Sequence, residues 1–167
     1  MMHFQRIENA LEICSEHVRS LDPTNIKDKE LETYLVAGLI VLIVSEYEDY
    51  LESLFIRRAE MCGDTHAANY IKKTLSQKFR SPDLKKINET LNRFDGTYKV
   101  SFMENIENSP EHSAWDSLMK ARHAVVHKQG NLNLTLRELN QKYPLTKTVI
   151  SNVETVLGLT ARVQSII

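Results

Sequence analysis

The chain has 167 residues, 42% hydrophobic and 26% charged, with a formal net charge of −1. That length is one ordinary domain, and such a chain buries roughly 70% of its unfolded surface without help from a disulfide or a metal. With 5 Gly and 4 Pro it is no collagen-like fibre, disordered tail or linker-rich array, and its charge is not that of a polycation built to coat nucleic acid. A single domain over residues 1–167 is the expectation.

The two cysteines, Cys14 and Cys62, are lone and far apart. No CxxC offers a zinc ribbon or redox dithiol, and two free thiols fit a reducing compartment. The N-terminus has no apolar run and carries Glu8 early, so no signal peptide is read. The most apolar stretch, Leu35 to Val44, is about half the ~20 residues that span a bilayer. A cytoplasmic chain with no membrane partner is expected.

Ile7, Ala10, Leu11, Cys14, Val18 and Leu21 recur at helical spacing and give a first helix. Asp22-Pro23-Thr24-Asn25 stops it. A second helix is predicted from about Asp28 to Cys62. Its run Leu39 to Val44 continues into Tyr47, Tyr50, Leu51, Leu54 and Phe55 with no turn residue between, which favours a helix buried on nearly all sides over a strand. A third helix covers Thr65 to Phe79. Ser81-Pro82-Asp83 begins a fourth, with Pro82 at its first position and Leu84, Ile87, Leu91 and Phe94 as its stripe. Asp95-Gly96 turns the chain, and a short helix spans Ser101 to Asn108. Ser109-Pro110-Glu111 starts the next, which runs to His127 and ends on Lys128-Gln129-Gly130-Asn131, with Gly130 available for a left-handed cap. A short piece, Leu134 to Gln141, precedes Tyr143-Pro144, and a last helix reaches Val163. The fold class is all-α, with no repeat.

Charge is uneven. Residues 1–56 carry −7, residues 57–99 carry +5 and the remainder +1. The middle block holds Arg57, Arg58, Lys72, Lys73, Lys78, Arg80, Lys85, Lys86 and Arg93. Its plain reading is a pair of solvated helix faces; its functional reading is a patch that steers phosphates, with Lys72, Lys73, Lys85 and Lys86 as RNA contacts.

The informative segment runs from Trp115 to Gly130. Trp115, Leu118, Met119, Val125 and Val126 form its apolar stripe, and Arg122 falls inside that stripe. A guanidinium there either finds a partner or packs its stem and sends its head to the rim. On the other face, Asp116, Lys120, His123 and His127 lie within about 60° of one another. Two imidazoles, a carboxylate and an ammonium on one strip suit proton transfer, and a solvated polar face is the plain alternative. His123 and His127 also stand at the i, i+4 spacing of zinc ligands. The helical zinc-protease signature needs Glu after the first His, however, and Ala124 stands there, so no metal is expected. No phosphate-binding glycine loop or nucleophile elbow is present.

The block Ala121-Arg122-His123-Ala124-Val125-Val126-His127 resembles the signature of the HEPN superfamily, in which Arg, a polar residue and a few mostly apolar residues lead to His at a helix end. Here His123 takes the polar slot. The usual glycine follows three places after His127 rather than directly. The apolar run closing on Ser45-Glu46, then Tyr47-Glu48-Asp49-Tyr50-Leu51, looks like the second helix of the RiboL-PSP-HEPN and related branches. So does Asn131-Leu132-Asn133-Leu134-Thr135-Leu136 before a final helix. The likeness covers roughly residues 30–160.

The resemblance implies an antiparallel HEPN-like helical bundle with extra short helices, commonly a homodimer whose motif helices face each other. It implies a metal-independent endoribonuclease without cofactors, often a toxin or an antiphage or stress effector held by an antitoxin or other regulatory protein. By motif position, Arg122 and His127 are the catalytic pair, with His123 beside them; Lys120 and Asp116, from the polar strip of the same helix, are expected in support. The alternative is a HEPN-fold module without catalysis that dimerises and binds RNA or protein. Arg122 and His127 are five residues apart, about 140° around a straight helix and ~7.5 Å along it, so one helix does not aim both at one point. The length of the arginine, an unwinding of the helix near His127 or a second copy would bring them together, and a second copy is expected to complete the site. Glu46, closing a buried apolar run, needs a cation, and Arg122 is the expected one, with solvent as the plain alternative.

Overall fold

The computed structural model describes residues 4–127, 132 and 134–160, with the backbone alone at positions 77 and 78. These residues form helices and no strand: α1 (Gln5–Arg19), α2 (Ile26–Glu60), α3 (Thr65–Lys78), α4 (Leu84–Phe94), α5 (Gly96–Ile106), α6 (Pro110–His127) and α7 (Leu136–Val156). The turn at Lys128 to Asn131, with Gly130, lies outside the described residues.

Short polar side chains set the helix starts. Asn25, Asp64, Asp83 and Asp95 each accept a backbone N–H from the first turn of α2, α3, α4 and α5. The Ser109 hydroxyl accepts from the His112 N–H at 3.2 Å, with Pro110 at the first helical position of α6. Thr135 and Glu138 cap each other's backbone at the start of α7.

Four boundaries differ from the sequence reading. Asp83 is the cap of α4, so Pro82 stays outside the helix, after Ser81 at φ 48°. Asp95 starts α5 at Gly96, ahead of Ser101, because its carboxylate takes the Thr97 N–H at 2.8 Å. Pro144 does not divide the last segment. Leu136, Leu139 and Tyr143 are buried on the same side as Val149, Ile150 and Val153, so packing on both flanks keeps α7 continuous. That helix ends at Val156, short of Val163, because Gly158 turns at φ 69° and the Leu159 N–H closes onto the Glu154 carbonyl at 3.0 Å.

α2 is the axis of the bundle. Val36, Ile40, Ile43, Tyr47, Leu51 and Leu54 are almost fully buried along it. The helix is not enclosed on nearly all sides, however: Leu31, Tyr34, Gly38, Val41 and Ser45 face outward. α7 runs beside α2 in the same direction. A groove near its start is lined by Glu32, Leu136 and Arg137, Tyr47 meets Thr146 at 2.8 Å, and the Tyr50 hydroxyl donates to Glu154 at 3.3 Å. α6 runs the opposite way. Lys142 Nζ of α7 donates to the Ser117 hydroxyl at 3.4 Å, and Trp115 stacks on Tyr47 with centroids 5.4 Å apart. The far end of α6 therefore lies beside the first half of α2.

Candidate active site

The first half of α6 is bound into the core. Ala114, Trp115 and Leu118 are buried, and the Trp115 indole N–H donates to the Pro82 carbonyl at 2.9 Å. The second half emerges. Met119, Ala121, Arg122 and Val125 are half-buried, and Val126 is 47% exposed although it continues the line of Trp115. The apolar stripe expected through Val126 thus stops short of it, because the core ends before the helix does.

On this emergent turn the His123 and His127 rings lie 4.3 Å apart between centroids, tilted by 47°. One turn of helix separates them, so both imidazoles open to the same solvent-facing strip. Arg122 is half-buried and has no ion pair or hydrogen bond among the described residues. Among the described residues nothing takes its donors, which a guanidinium can offer to an incoming anion. Lys120 is exposed on the strip with the histidines.

Two expected supporters are engaged elsewhere. Asp116 lies 3.7 Å from His112 Nε2, one turn back along α6 and away from His123. The i, i+4 spacing of His112 and Asp116 is legible in the sequence. Glu46 is held by Arg6 of α1, whose guanidinium donates to its carboxylate at 2.8 Å. The cation beside Glu46 is thus Arg6 and not the expected Arg122, because Glu46 stands on the side of α2 that α1 covers. Nothing in the local pattern around Arg6 announced a contact forty residues away.

The basic block is spread over the end of α2, α3 and α4. Phe79, at the end of α3, packs edge-on against Phe55 with centroids 5.5 Å apart. Lys72 and Lys73 are exposed on α3, and Lys85 is exposed and 4.0 Å from Glu89. Lys86 is half-buried, and its ammonium donates to the Arg80 and Ser81 carbonyls, closing the turn before α4. It serves the fold, while the other three lysines stand in solvent. Arg58 is drawn onto Tyr98, donating to its hydroxyl at 2.7 Å.

Among the described residues no group of three or more His, Cys, Asp and Glu is placed to hold a metal ion. None of the described helices is long and apolar enough to cross a membrane.

Among the described residues the chain is a bundle of helices, with Arg122 and His127 in the last turns of its sixth, the arrangement expected of a HEPN-class domain. The RiboL-PSP-HEPN family model matches residues 3–158, and the chain belongs to that family. No curated protein and no solved structure matches it.

Proposed function

We propose that the chain is a metal-independent endoribonuclease, acting as a toxin or as an antiphage or stress effector, with its site shared between two copies. The observation that carries this reading is the turn Arg122 to His127. It joins two adjacent imidazoles and an uncommitted guanidinium where α6 leaves the core.

The chemistry follows from those groups. One imidazole, His127, takes the proton from an RNA 2′-hydroxyl as its oxygen attacks the adjacent phosphorus. The P–O5′ bond breaks, and a protonated imidazole, His123 or the second copy's equivalent, gives its proton to the leaving 5′-oxygen. Arg122 holds two phosphate oxygens as negative charge gathers on the phosphorane. The products are a 2′,3′-cyclic phosphate and a 5′-hydroxyl, and no metal enters the balance. Lys120 adds positive charge on the strip. Lys72, Lys73 and Lys85, exposed on α3 and α4, suit contacts to a longer RNA backbone.

The second reading is a HEPN-fold module that dimerises and binds RNA or a protein partner without cutting. The position of Asp116 favours it, because a carboxylate drawn to His112 does not orient His123. The test is cleavage of a mixed RNA pool in EDTA, wild type beside His127→Ala, with end-group mapping. Cyclic phosphate ends from the wild type only support the ribonuclease. Binding without cutting by both proteins supports the module.

A further inference from the structure

α3 and α4 are held by one ring and leave a space between them. Phe55 of α2 meets Phe79, at the end of α3, edge-on, and stacks on Phe94, at the end of α4, with centroids 5.8 Å apart. Beside these rings the two helices do not close. A cavity of about 410 Å³ opens between Ile71 and Thr74 on one side and Thr90 and Phe94 on the other, over the buried Leu75. Small-molecule sites commonly measure ~300–1,000 Å³. None of the described residues that line it belongs to α6, so it is not the motif site.

The polar groups of this cavity accept hydrogen bonds inside and offer them at the rim. Thr74 Oγ1 donates its hydrogen to the Tyr70 carbonyl at 2.9 Å, and Thr90 Oγ1 to the Lys86 carbonyl at 2.7 Å. Both oxygens therefore meet a guest with lone pairs only. Past Thr90 the space continues to Glu89, another acceptor, while the Lys86 ammonium is turned to the Arg80 and Ser81 carbonyls. At the rim stands Arg93, exposed and without an ion pair or hydrogen bond among the described residues. Tyr70, 72% exposed, holds its ring at the mouth.

We propose that this cavity binds a nucleotide whose base carries an exocyclic amine, with its phosphate on Arg93. The apolar floor and the Phe94 wall receive a flat ring, and Tyr70 covers its outer face. Acceptors inside demand N–H donors. The amino group of adenine or cytosine supplies them, and the keto oxygen at the same place in hypoxanthine or uracil does not. Arg93 demands an anion outside, and the net +5 of residues 57–99 favours one. A fatty acid or a bare phosphate meets only half of these conditions. A free nucleotide and one nucleotide of an RNA strand share this chemistry. The site stands whether or not Arg122 and His127 cut RNA.

The test is an NMR titration of the full chain with AMP, CMP, IMP and UMP. AMP and CMP are expected to bind saturably, with Kd of about 1 mM or tighter, and to shift resonances of α3 and α4. IMP and UMP are expected to bind ~10-fold more weakly, because a keto oxygen replaces the amine. Arg93→Ala weakens AMP about 10-fold or more and leaves adenosine, which has no phosphate, bound as by wild type. A damaged fold would lower both. Tyr70→Ala weakens AMP and adenosine alike, by roughly 5-fold or more. Thr74→Met fills the cavity and removes both. Saturable binding of none of the four nucleotides, equal binding of the amino and keto pairs, or a loss of AMP through Arg122→Ala and not through Arg93→Ala overturns the site. A short strand of A and C that binds with the same dependence on Arg93 marks RNA as the source. AMP bound where the strand is not marks a free nucleotide, and either result upholds the site.

Discussion

The Trp115 indole lies flat against the Tyr47 ring, 5.4 Å between centroids and 8° from parallel, while its N–H is held by the Pro82 carbonyl. This one side chain fixes α6 on α2 and ties both to the turn before α4. It therefore sets the height at which the motif emerges.

Replacing Trp115 tests that linkage. Trp115 is fully buried, so Trp115→Ala is expected to cost ~3–5 kcal/mol in urea unfolding. Trp115→Phe keeps most of the apolar surface but strands the Pro82 carbonyl, and is expected to cost ~1–3 kcal/mol.

Tyr47 supplies a pH dependence. Thr146 donates its hydroxyl hydrogen to the Tyr143 carbonyl at 2.8 Å, so the Tyr47 O–H is the donor to Thr146. Burial pushes the Tyr47 phenol well above the tyrosine range, and burial, followed by the charge of Glu8, raises Tyr143 too. The folded state therefore keeps these protons where the unfolded chain has lost them. Their contribution to stability is whole below the ordinary phenol value of ~10 and falls as pH rises above it. Wild type is expected to unfold at alkaline pH with an abrupt rise in phenolate absorbance. Tyr47→Phe flattens that dependence and costs about 1 kcal/mol near neutrality. A gradual titration of every tyrosine before unfolding would contradict this.

What the sequence disclosed follows the range of the forces. Helix existence was legible, because 3.6-residue periodicity and caps such as Asn25 and Thr135 are local. The HEPN motif was legible for the same reason, lying within one turn and a half of α6. The partner of Glu46 was not, since Arg6 reaches it from another helix. Nor was the exposure of Val126, which follows the Trp115 line and loses cover only because the core ends. The open side of α2 was hidden by its composition: Leu39 to Val44 is apolar throughout, and only packing distinguishes Ile43 from Val41.

Pro144 makes a further prediction. It sits inside α7 and is exposed, and its ring nitrogen donates nothing to the Asn140 carbonyl. Pro144→Ala supplies the missing donor and is expected to raise stability by ~1–3 kcal/mol, read from the denaturant midpoint at unchanged m. A loss of stability would mean that the proline bends α7 to fit α2, and the packing of Tyr143 and Thr146 would carry the cost.

The motif separates fold from chemistry. His123 and His127 are exposed and touch each other rather than the core, so alanine at either site is expected to leave the melting temperature within the range of a surface change. Under the ribonuclease reading, His127→Ala lowers the cleavage rate by ~10²–10⁴, the usual weight of a general acid or base. Arg122→Lys is no rescue of Arg122→Ala, because an ammonium cannot hold two phosphate oxygens in a planar fork. Mixing the two inactive chains decides whether the site is shared. If Arg122 of one copy works with His127 of the other, an Arg122→Ala/His127→Ala heterodimer keeps one of its two composite sites; random exchange makes half of the dimers heterodimers, so mixing restores cleavage to about a quarter of wild type. If each copy works alone, mixing restores nothing.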